Sequence, residues 1–198
     1  MDRQIKAEKA WAIPKKIFDI LQTYNLDELA KIPLKKYENI FNENKLHRFN
    51  TDMAEIFLSG IHDIKIKYNG DASKIWLDKS KKLSSATVVY RFLEFKGCGI
   101  KIATMATNIL ARQFKIELSD YYSIDISPDT HVMRVMKRMG YVPENASREM
   151  VIYKARELYP EFPGIIDLSC FEIGRSWCKP TEPDCSNCII KSECKKIM

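Results

Sequence analysis

Cys178, Cys185, Cys188 and Cys194 lie in one short stretch near the C-terminus, spaced C-x6-C-x2-C-x5-C. Thiolates this close either hold a metal centre or pair as disulfides. Pro180 and Pro183 stiffen the stretch, and it has no apolar period of its own, so a bound centre would serve as its core. Disulfides suit a small secreted domain, and the sequence has no basic segment followed by an apolar one that would direct export. Structural zinc sites usually pair their ligands as two close knuckles, and only Cys185 and Cys188 form one here. The spacing favours iron–sulfur over zinc without excluding it.

Two upstream segments carry further chemistry. Residues 95–103 include Lys96-Gly97-Cys98-Gly99-Ile100-Lys101 between two helical patterns. A glycine-bounded turn ahead of a helix leaves backbone N–H groups pointing outward, next to the positive end of the helix dipole. That arrangement suits a phosphate oxygen and attaches DNA without reading its sequence. The plain alternative is a helix stop followed by a new helix. Farther on comes Ser127-Pro128-Asp129-Thr130-His131-Val132-Met133-Arg134. Asp129 is well placed to cap a helix, with Pro128 at or near its first turn.

The order of these segments, G-x-G-x-K, then D-T-H-V-x-R-V, then the cysteine stretch, resembles the endonuclease III branch of the helix–hairpin–helix DNA glycosylases. The resemblance runs from about Gln4 to Cys194. It implies a 4Fe–4S cluster on Cys178, Cys185, Cys188 and Cys194. It implies that Lys101 is the amine that attacks the sugar and forms a Schiff base, a step that needs a neutral amine. Asp129 is then the carboxylate that stabilises positive charge on the sugar. Gln4 resembles a glutamine that enters the gap left by a flipped base. Lys96, Gly97, Gly99 and Lys179 are the expected DNA contacts, while His131 and Arg134 are expected to be structural or to touch phosphate. Cys98 and Cys170 fall outside the spacing and read as buried thiols.

The implied function is excision of a damaged, oxidised base from double-stranded DNA, followed by strand cleavage by β-elimination. The alternatives are a glycosylase without lyase activity and a non-catalytic DNA-binding module. The implied protein is a monomer in the cytoplasm, at the nucleoid in a prokaryote. Family members usually read Leu-Pro-Gly-Val-Gly at the hairpin, where this chain has Phe95-Lys96-Gly97-Cys98-Gly99. Their first cysteine gap is basic, whereas here it holds Lys179 against Glu182 and Asp184. Relatives also carry further helices ahead of the Gln4 segment, which are missing from this sequence.

The elements that must position these residues are helical. Phe49, Met53, Ile56, Phe57, Ile61 and Ile64 follow a 3–4 spacing, and so do Val88, Val89, Phe92 and Phe95. Ile102, Ala103, Ala106, Ile109 and Leu110 repeat it, then Val132, Val135, Met136 and Met139. Breaks fall at Asn25, Pro33, Asn69-Gly70, Gly97–Gly99, Gly140–Pro143 and Pro160–Pro163. Residues 115–127 have no period and read as a connector. The expectation is an all-α fold with one lobe over 1–117 and a second over 118–198. With 198 residues the chain has room for a sizeable core. No apolar run approaches the ~20 residues of a membrane span. The net charge is +6. From Lys79 to Lys101, Lys79, Lys81, Lys82, Arg91, Lys96 and Lys101 stand against Glu94 alone, a candidate phosphate-binding edge.

Overall fold

Polar side chains at helix starts mark where the chain changes direction. Asn25 Oδ1 accepts from the N–H groups of Asp27 and Glu28, and Ser147 Oγ accepts from Met150 N–H. The computed structural model describes residues 4–196, and the described residues form helices, turns and irregular segments with no strand. The all-α expectation therefore holds. The helices are α1 (Ala7–Leu21), α2 (Leu26–Lys31), α3 (Leu34–Glu43), α4 (Asn50–Lys67), α5 (Ser85–Leu93), α6 (Ile100–Arg112), α7 (Thr130–Arg138), α8 (Arg148–Leu158) and α9 (Asp167–Ser176). Residues 113–129 are the irregular connector that the missing period indicated. No helix among the described residues is long and apolar enough to cross a membrane.

Contacts divide the chain into two compact units. One takes residues up to Lys79 together with Arg91–Gly99, and the other takes Ser80–Tyr90 together with the chain from Ile100 onward. In the first unit, α4 packs on α2 and α3, and the core buries Ile13 and Ile17 of α1 together with Leu29, Tyr37, Phe41 and Met53. Each such side chain contributes about 1.5–3 kcal/mol when fully buried. The Tyr37 hydroxyl satisfies itself inside this core by donating to Leu29 O at 2.8 Å. Burial pushes its pKa up to about 12.

The second unit sets the candidate chemistry. Its core joins Ile126, Val132, Val135, Met136, Val151 and Ile173, and α7 lies against α9. A Cβ on Gly174 would stand 2.6 Å from the Cβ of His131, so only glycine lets α9 come this close to α7. Arg134 fastens the same crossing. Its guanidinium donates to Gly174 O at 2.8 Å and to Cys178 O at 2.5 Å. Arg134 thus serves the fold at this crossing, with His131 packed against Gly174.

Candidate functional site

The hairpin is built by short local bonds. Cys98 N–H donates to Phe95 O at 3.0 Å, and the Phe95 ring stacks on Tyr68 with centroids 6.1 Å apart. Gly97 sits at φ +77°, and a Cβ there would meet Ile56 Cδ1 at 2.7 Å. Gly99 does not use the positive φ that glycine allows. Its backbone lies outside the left-handed region, and a Cβ there would meet nothing within 4 Å. Glycine at 99 therefore keeps the surface open and is not required by the turn. Among the described residues, the N–H groups of Gly97 and Gly99 donate to no protein group. Gly97→Ala is thus expected to lower stability by about 1–3 kcal/mol. Gly99→Ala should leave the melting temperature unchanged. Thermal melts of the two variants check both.

The basic stretch is partly neutralised by the protein itself. Lys96 is ion-paired with Glu55, Lys82 with Glu117 at 2.5 Å, and Arg91 donates to Lys74 O at 2.7 Å. Such exposed ion pairs are worth little. Gln4 is exposed and accepts from Arg48 Nη1 at 3.3 Å. Asp2 and Arg3, just ahead of it, lie outside the described residues.

Lys101 is the second residue of α6 and is half-buried. Asp129 is the N-cap of α7, with Oδ1 accepting from His131 N–H at 2.8 Å and Val132 N–H at 2.9 Å. Thr130 starts the helix, so Pro128 stands one residue ahead of the cap, outside the first turn. Lys101 and Asp129 belong to the same compact unit.

A residue outside every motif joins this neighbourhood. Asp167, the first residue of α9, is only 6% exposed and accepts from Ser127 N–H at 3.2 Å. Burial raises its pKa to about 6; the Ser127 hydrogen bonds and the Lys101 charge pull it down, and the Asp129 charge adds to the rise. The folded state thus takes up a proton before the unfolded chain does as pH falls. The ionised group costs the fold about 3 kcal/mol at pH 7, and that cost fades as pH drops from above 6 towards 4. Asp167→Asn should therefore raise the melting temperature at neutral pH, with the gain shrinking toward pH 4. A pH series of melts for the two proteins measures it.

All six cysteines are free. Cys178, Cys185, Cys188 and Cys194 line one cavity with Val135 and Trp177. Among the described residues, no group of three or more His, Cys, Asp or Glu side chains is positioned to hold a metal ion. Donors nonetheless point at the sulfurs. Arg138 Nη1 lies 3.4 Å from Cys178 Sγ, and Lys196 N–H lies 3.4 Å from Cys194 Sγ. Arg138 also donates to the carbonyls of Lys179 at 2.6 Å and Pro180 at 3.0 Å. Lys179 is exposed beside them. Asp184 is used within the loop, accepting from Ser186 Oγ at 3.0 Å and Asn187 Nδ2 at 2.9 Å. The Asn187 bonds, then Ser186, hold its carboxyl below the usual range. Four free thiols around a shared space, with N–H donors to sulfur, are the residues that could hold a thiolate-ligated metal centre.

No family model matches the chain. Endonuclease III of Thermotoga maritima is 26% identical over 195 residues, which span 98% of this chain and 78% of that protein. Among solved structures, an endonuclease III trapped in a covalent intermediate with DNA, an estranged-adenine complex, superposes with a TM-score of 0.68. It is 20% identical, and the match covers 98% of this chain and 79% of that one. A non-covalent endonuclease III–DNA complex gives a TM-score of 0.63 at 20% identity, over 93% and 73% of the two chains. In sequence and in fold, along nearly its whole length, the chain is similar to endonuclease III.

Proposed function

We propose that the protein is a base-excision-repair DNA glycosylase with an associated abasic-site lyase activity, acting on damaged, oxidised bases in double-stranded DNA. The observation that carries this reading is the placement of Lys101 and Asp129. Lys101 follows the open Gly97–Gly99 turn at the start of α6, and Asp129 caps α7 in the same compact unit. The division by motif into lobes at 1–117 and 118–198 differs from the compact units, which hold Lys101 and Asp129 together, and the protein works as a monomer in this reading.

In this reading the turn seats a backbone phosphate on the N–H groups of Gly97 and Gly99, and Lys96, Lys179 and Gln4 add further contacts. The Nζ of Lys101 attacks C1′ of the flipped nucleoside. The N-glycosidic bond breaks, and its electron pair leaves with the base, which takes up a proton. The Asp129 carboxylate stabilises the positive charge that develops on the sugar. The Nζ lone pair then forms the C1′=N bond of a Schiff base on Lys101 as the C1′–O4′ pair leaves on O4′, which takes up a proton. Loss of a C2′ proton expels the 3′ phosphate and nicks the strand.

The four cysteines would hold a 4Fe–4S cluster, which would order the loop that presents Lys179. Protein purified without oxygen should be yellow-brown and contain iron and acid-labile sulfide in equal amounts. Colourless protein with stoichiometric zinc would overturn the cluster assignment.

The activity itself is tested by borohydride trapping over a panel of damaged and abasic duplexes. A covalent protein–DNA adduct is the expected result. Base release without an adduct would leave a monofunctional glycosylase, and neither would leave a DNA-binding module.

A further inference from the structure

Asp167 accepts from the buried N–H of Ser127, two residues ahead of Asp129, and Ser127 Oγ lies 3.5 Å from Lys101 O. One carboxylate therefore ties the start of α9 to the turn that leads into α7, and through Ser127 to the start of α6. It does not cap its own helix: α9 has Ile166 at its N-cap and no side-chain cap bond. The charged groups around it are Lys101 on α6 and Asp129 at the cap of α7, with the Cys170 thiol on its own helix. Burial, then Asp167 and Asp129, pushes that thiol up to about 12, so it stays neutral.

The hydrogen bond alone does not account for an acid here. An amide oxygen would accept equally well from Ser127 N–H without the cost of a buried charge. What an amide would not supply is negative charge near Lys101, which becomes a cationic Schiff base in the proposed reaction. The two carboxylates also stand in contrasting surroundings. Asp129 is held by two backbone N–H groups at a helix start, whereas Asp167 is enclosed and sits on the borderline of ionisation. Paired carboxylates with divergent environments commonly divide the work of a site between them.

We propose that Asp167 is a positioning residue for the Lys101–Asp129 pair, holding the Ser127 turn by its hydrogen bond and placing a negative charge behind that turn. This rests on the glycosylase and lyase reading above. Asp167→Asn keeps the acceptor and removes the charge, while Asp167→Ala removes both.

The test measures the rate of borohydride-trapped adduct formation on an abasic duplex against pH, using the full chain and both variants. Asp167 has its pKa raised to about 6 by burial, so wild-type trapping should change in rate across that pH, and Asp167→Asn should lose that step. In Asp167→Ala, trapping should slow at least about tenfold at every pH, because a tie worth roughly one hydrogen bond is lost, and Asn should restore most of that rate. Profiles that superimpose on the wild type in both variants overturn the proposal. So does an Asn variant with no cooperative melt, since the carboxylate would then serve the fold alone. If Ala fails to fold, the Asn profile decides. Absence of any adduct in the wild type would refute the lyase reading itself, an outcome distinct from these.

Discussion

Lys101→Gln is expected to abolish the borohydride-trapped adduct while leaving binding to undamaged duplex nearly intact. The trapped species is a reduced Schiff base, and a side-chain amide cannot form one, so the loss should reach the detection limit rather than a few-fold decrease. The fold should tolerate the change. Gln is a good helix former, and the residue it replaces is half-buried near the start of α6. Binding to undamaged DNA draws on many phosphate contacts, and one charge among them contributes only a small part of the salt-dependent affinity. Wild-type-like trapping in the variant would assign the chemistry to another amine. Lys96 would be examined first, since its ion pair with Glu55 holds it at the surface of the turn. Loss of damage-free binding would instead make Lys101 a phosphate contact.

The helices were legible because burial on one face forces a 3–4 spacing, and the turns because glycine, proline and capping residues punctuate it. Asn25 caps α2 and Asp129 caps α7 through local geometry that needs no tertiary information. The candidate site was legible only where function is compressed into contiguous residues. Gly99 shows the limit: a sequence does not distinguish a glycine kept for its φ from one kept for open space. The basic stretch shows another, since Lys82 finds Glu117 and Lys96 finds Glu55 only when the chain folds. Asp167 was invisible for a related reason. It is one acid in a segment with no motif, and it matters only because folding buries it beside Ser127. Arg138 likewise reads as an ordinary helical base until α7 meets the cysteine loop.

Asp129→Asn is expected to slow base release by about 10²–10³-fold, the loss typical of removing one preorganised electrostatic stabiliser. The substitution separates the two roles of this residue. As a helix cap, Asp129 uses Oδ1 to accept from the N–H groups of His131 and Val132. Asn caps as well as Asp does, so the fold and the melting temperature should stay near wild type. Asp129→Ala loses the cap as well and should cost a further 0.5–2 kcal/mol or so of stability. Its rate defect alone would therefore not separate capping from chemistry. The Asn variant lacks only the negative charge, which matters most when the sugar becomes cationic in the transition state. Base release should accordingly fall while affinity for an uncleavable damaged duplex holds steady. Single-turnover excision beside equilibrium titration reads the two quantities separately. If excision by the Asn variant matched the wild type at equal stability, Asp129 would be a cap and nothing more, and the carboxylate for the proposed reaction would have to be sought elsewhere.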